Sequence, residues 1–214
     1  MNLPKSMQHS IKKQSQDRKR IILGITGSFG SGKTTVARIF GSCGTKIIDA
    51  DKIAHGLIRP RTKIYKKIIN TFGRDILKKN KAIDRKKLAR IVFNNKFLLK
   101  RLNEIIHPEA IRIIKEKIKA HPERRIILDV PLLIEAGLGK IVDKLIVVTI
   151  TREKQIERIA KKTGLKRIDI LKRIKAQAPL GNKIRLADFV IDNSATIGKT
   201  KKQVERIRRL LWRN

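Results

Sequence analysis

Apolar residues in this chain fall into two alternating kinds of run. Short, nearly unbroken aliphatic stretches occur at residues 21–25 (IILGI), 46–49 (KIID), 125–129 (RIILD), 144–150 (KLIVVTI) and 189–191 (FVI). Runs of that length predict strands covered on both faces, as in a parallel sheet. Between them the apolar positions recur every three or four residues among lysines and arginines, which predicts helices. The longest helical stretch, residues 52–120, is punctuated by Pro60, Gly73 and Pro108, and Asp84 is placed to cap a segment reaching Phe93. Two basic helical segments broken near Gly164 fill residues 152–177, and a last helix ends near Trp212. Strands alternating with helices in this order predict an α/β fold, a doubly wound parallel sheet of about five strands.

The connection after the first strand sharpens that picture. It reads Gly27-Ser28-Phe29-Gly30-Ser31-Gly32-Lys33-Thr34 and fits G-x-x-x-x-G-K-[ST] between a strand and a helix, so the domain is of P-loop NTPase type. Such a loop curls until its backbone N–H groups face phosphate oxygens, and the helix that starts there adds its N-terminal partial charge. The pattern predicts ATP binding by Ser28, Phe29, Gly30, Ser31, Gly32, Lys33, Thr34 and Thr35. Lys33 would reach the outer phosphates, and Thr34 would offer its hydroxyl to Mg2+.

In such sheets ligands collect beyond the carboxyl ends of the strands. The second strand ends in Asp49-Ala50-Asp51, whose two carboxylates can face the same way if the backbone stays extended. Phosphoryl transfer asks the protein for positioning, charge neutralisation and a group to orient or deprotonate the attacking hydroxyl. Asp49 is assigned to the metal side and Asp51 to the hydroxyl. Asp129, ending another strand, competes for the metal side, and either Asp49 or Asp51 could instead cap the helix that follows.

Composition narrows the partners. The chain has 214 residues, 41% hydrophobic but only 4% aromatic, enough for one compact core built from aliphatic side chains. Its 53 Lys and Arg against 18 Asp and Glu give a formal charge of +35, which suggests polyanionic partners. Those cations are spread along nearly every predicted helix, and Trp212 and Tyr65 leave little material for base stacking. A nucleic-acid-binding ATPase is therefore the weaker reading. The single cysteine, Cys43, excludes disulfides within the chain and cysteine-rich zinc sites, and predicts a reducing, cytoplasmic setting. No apolar run approaches the length of a membrane span. Residues 1–20 are basic, rich in Ser and Gln, and lack the apolar segment of a secretory signal; they read as a disordered extension, with an organelle transit peptide as the alternative.

Several separated motifs resemble one family. The phosphate loop is joined by Ile48-Asp49-Ala50-Asp51, Leu102-Asn103-Glu104-Ile105-Ile106-His107-Pro108, residues 129–138 (DVPLLIEAGL), Arg173-Ile174-Lys175-Ala176-Gln177 and residues 187–193 (ADFVIDN). In that order they resemble the dephospho-CoA kinase family, which phosphorylates the ribose 3′-hydroxyl of dephospho-CoA with ATP. The resemblance implies a nucleotide core (residues 21–51 and 121–214), a helical insert (52–120) that binds dephospho-CoA, and a lid (151–178). It puts Asp51 at the general base and Arg158 at a lid arginine facing the phosphates, beside Lys33. It places Arg85 in a segment similar to the family's CoA-binding part, and makes His107 and Glu135 further candidates for substrate binding. His107 could instead be structural at a helix start before Pro108, and Glu135 could simply pair with a lysine. Mg2+ and ATP are implied, with a monomer or weak homo-oligomer and no membrane. Two departures stand out: Ser28 where the family usually has Gly, and Lys162 where it often has a second lid arginine. Another small-molecule nucleotide or nucleoside kinase would share the loop, the aspartates and a lid, but not the later motifs.

Overall fold

The computed structural model describes residues 20–41, 44–122, 125–130 and 137–212. The expectations for Cys43, Glu135 and the N-terminal extension (residues 1–19) lie outside the described residues. Strands β1 (Ile21–Gly27), β2 (Lys46–Asp49), β3 (Arg125–Asp129), β4 (Lys144–Thr149) and β5 (Phe189–Asp192) form one sheet in the order β2-β3-β1-β4-β5, every pair parallel. The chain leaves β1 to one side for β2 and β3, then crosses it to reach β4 and β5. The reversal of strand order therefore sits at β1, whose carboxyl end carries the phosphate loop.

Successive residues of each inner strand feed opposite faces, as the period of two requires. Leu23, Ile25, Ile127, Ile146 and Val148 pack on one side against Val36, Ala37 and Phe40 of α1 (Lys33–Gly41) and Val204 and Ile207 of α9 (Ile197–Leu211). Ile126, Leu128, Leu145 and Val147 pack on the other, against Ile114 of α5 (Lys96–Ala120). The scarcity of aromatics is met by one edge-on pair in the first layer, Phe40 against Trp212, with ring centroids 5.8 Å apart.

The stretch without predicted strands builds a second core. Leu57 of α2 (Ala50–Leu57), Ile64 and Ile68 of α3 (Lys63–Phe72), and Leu88 and Val92 of α4 (Arg85–Asn94) close around Ile76, Ile83 and Ala110. Local chemistry sets these ends. Thr62 Oγ1 accepts from the Tyr65 N–H at 3.0 Å to start α3, and Gly73 stops it with φ of 80°. Asp84 Oδ1 accepts from the N–H groups of Lys86 and Lys87 to start α4, the cap the sequence predicts. A single antiparallel bridge, Leu77 to Ile83, closes the turn before it.

Pro108 does not begin a helix. It lies inside the 25-residue α5, so His107 is mid-helix and not at a helix start. The proline forgoes a hydrogen bond to the Glu104 carbonyl. Packing on both sides offsets that loss: Leu98, Leu102 and Ile106 join the insert core, while Ile114 and Ile118 join the sheet core. Two further helices, α6 (Arg152–Thr163) and α7 (Arg167–Lys175), pair through Ile156, Ile159 and Ile170, with Phe29 of the phosphate loop against them. The short α8 (Leu180–Arg185) leads into β5. Among the described residues no helix is long and apolar enough to cross a membrane.

Phe40 is fully buried between the sheet and helices α1 and α9, so Phe40→Ala leaves a cavity in that layer. It is expected to lower unfolding free energy by ~3–5 kcal/mol, read by urea titration with an unchanged slope.

Candidate active site

The phosphate loop is held in shape by neighbours that require its glycines. Gly30 has φ of 78°, and a Cβ there would stand 2.4 Å from Ile159 of α6. Gly32 has φ of 89°, and its Cβ would fall 2.1 Å from the Asn193 side-chain amide. That amide is buried: Nδ2 donates to the Ser31 carbonyl at 2.8 Å, and Oδ1 accepts from Thr200 Oγ1 at 2.9 Å. Ser28, the departure from the usual glycine, keeps an ordinary negative φ, and its carbonyl accepts from the Ser31 N–H. The substitution therefore strains nothing in the backbone.

Around this loop lies a cleft of about 560 Å³, lined by Phe29, Gly30, Gly32, Lys33, Thr34, Thr35, Asp51, Arg158, Lys162 and Asn193 among others. Lys33 is buried in its floor. Arg158 reaches in from α6 and donates through one guanidinium nitrogen to the Asn193 carbonyl at 2.9 Å. Lys162, one turn further along α6, lines the same cleft, so a cation does stand where the family often has arginine.

Parallel register delivers the carboxylates. Asp49 and Asp129 are Cα partners at the ends of β2 and β3, and Ile25 of β1 pairs with Asp129. Asp49 Oδ1 accepts from the Lys52 N–H at 2.9 Å and so caps α2. Asp51 follows in the first turn of α2; it opens to solvent across the cleft mouth while protein crowds its other sides. Burial pushes its carboxyl above the usual range, with Asp49 adding to the rise and Lys33 and His55 opposing it. Asp129 Oδ2 accepts from Thr34 Oγ1 at 2.8 Å, whereas its buried Oδ1 has no hydrogen-bond partner. Burial raises this carboxyl too, against the pull of Lys33 and Thr34.

Beside the phosphate cleft lies a second, more apolar cleft of about 340 Å³. Ile58, Leu88, Val92, Leu102 and Ile106 line it, with Arg85, His55, Asn103, Arg173 and Gln177 as its polar groups. Phe29 lines both clefts. Arg85 thus stands at the second cleft, but His107 lines neither. The sequence reading gave no role to His55, Arg173 or Gln177. His55 could have been found from its spacing of four from Asp51, which puts both on one helix face. Arg173 and Gln177 were marked only as the ends of the motif at residues 173–177, with no task attached to either.

A family model described as dephospho-CoA kinase matches residues 21–199. A dephospho-CoA kinase of Carboxydothermus hydrogenoformans is 45% identical over 186 residues, which cover 86% of this chain and 90% of that protein. The solved structure of a dephospho-CoA kinase from Campylobacter jejuni aligns with a TM-score of 0.62 at 31% identity, covering 88% of this chain and 96% of that one. The structure of a Thermus thermophilus protein aligns with a TM-score of 0.74 at 28% identity, covering 90% of this chain and 98% of that one.

The crowded carboxylates make a stability prediction with a defined sign. The folded Asp129 carboxyl holds its proton more tightly than an unfolded one does. Its ionised form therefore costs stability, and that cost grows as pH rises from the ordinary carboxylate range through the raised value. Asp129→Asn is expected to raise the thermal midpoint at pH 7 and to lose the advantage at acid pH. Turnover should drop at least about tenfold in the same protein. Paired melts at the two pH values and one rate measurement check it.

Proposed function

This chain belongs to the dephospho-CoA kinase family, and from that premise we propose how its two clefts share the reaction. The activity is ATP-dependent phosphoryl transfer to dephospho-CoA. In our reading the triphosphate of ATP lies over the phosphate loop, and dephospho-CoA enters the apolar cleft with its ribose 3′-hydroxyl toward Asp51. The observation that carries this is the junction between the clefts. Asp51 lines the phosphate side, His55 on the same helix lines the apolar side, and Phe29 lines both.

Each residue then has a defined task. Asp51, with its raised carboxyl, accepts the proton of the attacking hydroxyl; a base whose pKa lies nearer neutrality is better matched to that step. Lys33 and Arg158 stabilise charge on the phosphoryl oxygens, and the tie from Arg158 to Asn193 fixes its approach. Closure of α6 and α7 over the loop excludes water that would otherwise take the phosphoryl group. Mg2+ fits beside these residues: Thr34 supplies a hydroxyl, and the partnerless Asp129 Oδ1 is a buried acceptor suited to the ion or its water shell. Asp49 spends one oxygen on capping α2 and stands behind Asp129 in this role. Among the described residues no three acidic, His or Cys side chains form a cage, and Mg2+ at phosphates rarely needs one. When bound, the ion would neutralise charge on the phosphate oxygens. The lone cysteine supports a cytoplasmic setting.

A coupled ADP-release assay across dephospho-CoA, adenosine, AMP, CMP and single-stranded RNA tests the assignment. Release should depend on dephospho-CoA, and comparable turnover with any other acceptor would overturn it. The rate should fall toward acid pH through an apparent pKa above the usual carboxylate range. Asp51→Asn should remove that limb and most of kcat while changing the KM for ATP little. Arg85→Lys should raise the KM for dephospho-CoA several-fold and spare that for ATP, because an ammonium cannot replace a bidentate guanidinium on a diphosphate. Unchanged constants would remove Arg85 from the acceptor cleft.

A further inference from the structure

Three parts of the molecule meet at a side chain that the steps above leave unused. The Arg173 guanidinium carbon stands 5.7 Å from the ring centroid of Phe29 and 5.3 Å from that of Phe93. Phe29 belongs to the phosphate loop, Phe93 to α4 of the insert, and Arg173 to α7. The Phe29 backbone is gripped from the same quarter. Its N–H donates to Gln177 Oε1 at 2.7 Å, and its carbonyl accepts from Gln155 Nε2 at 2.5 Å. Gln155 is buried in α6, and Gln177 follows two residues after α7. A second tie joins α7 to the insert, since Lys172 Nζ donates to Asn94 Oδ1 at 2.6 Å. Half-buried Arg173 remains a cation at any working pH.

We propose that Arg173 is a positioning residue, which holds the acceptor cleft in register with the phosphate loop by clamping Phe93 to Phe29. The reason lies in the geometry of the clamp. Two rings alone can slide past one another, whereas a planar cation attracted to both π systems fixes their separation. Phe93 lines the acceptor cleft and Phe29 lines both clefts, so their separation sets how the acceptor hydroxyl meets the phosphoryl group. A misplacement of about 1 Å at such a junction costs on the order of a hundredfold in rate. It also opens the phosphoryl group to water. Loss of the clamp therefore predicts two linked defects, slow transfer and ATP hydrolysis without CoA formation. The inference rests on the assignment of the apolar cleft to dephospho-CoA.

The test measures ADP and CoA separately on the full chain. Arg173→Met keeps the length and removes the charge. It is expected to lower kcat at least about tenfold with ADP formed in excess of CoA, and to leave the KM for ATP within about twofold. Phe93→Leu keeps Arg173 and removes one ring; it should shift the same ratio by less. The double variant should be no worse than Arg173→Met alone, because both changes break one clamp. Arg173→Lys should restore the ratio only in part. Thermal melts identify folded variants, and if Arg173→Met does not fold, the same cycle is read with Arg173→Lys. Equal ADP and CoA in a folded Arg173 variant, or losses that multiply in the double variant, overturn the proposal. Failure of the cleft assignment shows elsewhere, as an Arg85→Lys enzyme with an unchanged KM for dephospho-CoA.

Discussion

Everything in this site depends on one buried lysine surrounded by carboxylates. Lys33 sits in the floor of the phosphate cleft, and the charges of Asp51 and Asp129 act directly on it. That cation favours the ionised form of both acids, and burial outweighs its help at both. The parallel sheet enforces this crowding. Side-by-side register puts Asp49 against Asp129 at neighbouring strand ends. The molecule holds a destabilising cluster in place with two aliphatic layers, one on each face of the sheet.

The longest helix solves a second problem, that of joining two cores. Apolar residues along α5 pack first into the insert and then onto the sheet. One rigid rod thus sets where the apolar cleft stands relative to the strand ends. A flexible linker could have joined the same parts, but it could not fix the distance from Arg85 to Asp51. The helical pair α6 and α7 completes the frame by contacting both the phosphate loop and α4.

Much of this was legible in the residues, and the misses have physical causes. The strands could be read because burial on both faces leaves unbroken aliphatic runs, and the Asp84 cap because its chemistry lies within three residues. The phosphate loop could be read because its backbone demands glycine at fixed spacing. Pro108 was misread as a helix start because proline usually prefers that place; two cores packed on one helix overrode the preference. The pairing of Asp49 with Asp129 was not readable, since it depends on the register between strands about 80 residues apart in sequence. Arg173 could be singled out as part of the motif at residues 173–177, but its contacts could not, since Phe29 and Phe93 are distant from it in sequence.

The Asn193 amide leaves a last consequence, one of mutational order. It occupies the space that any side chain at position 32 would need, so a change at Gly32 cannot be accepted while Asn193 stands. Shrinking Asn193 would free that space but abandon the grip on Ser31 and Thr200. Even then the positive φ at Gly32 would still penalise a side chain. Drift at the two positions is therefore one-directional. Asn193 can be lost first, at a cost to the loop, and Gly32 gains no freedom from the loss.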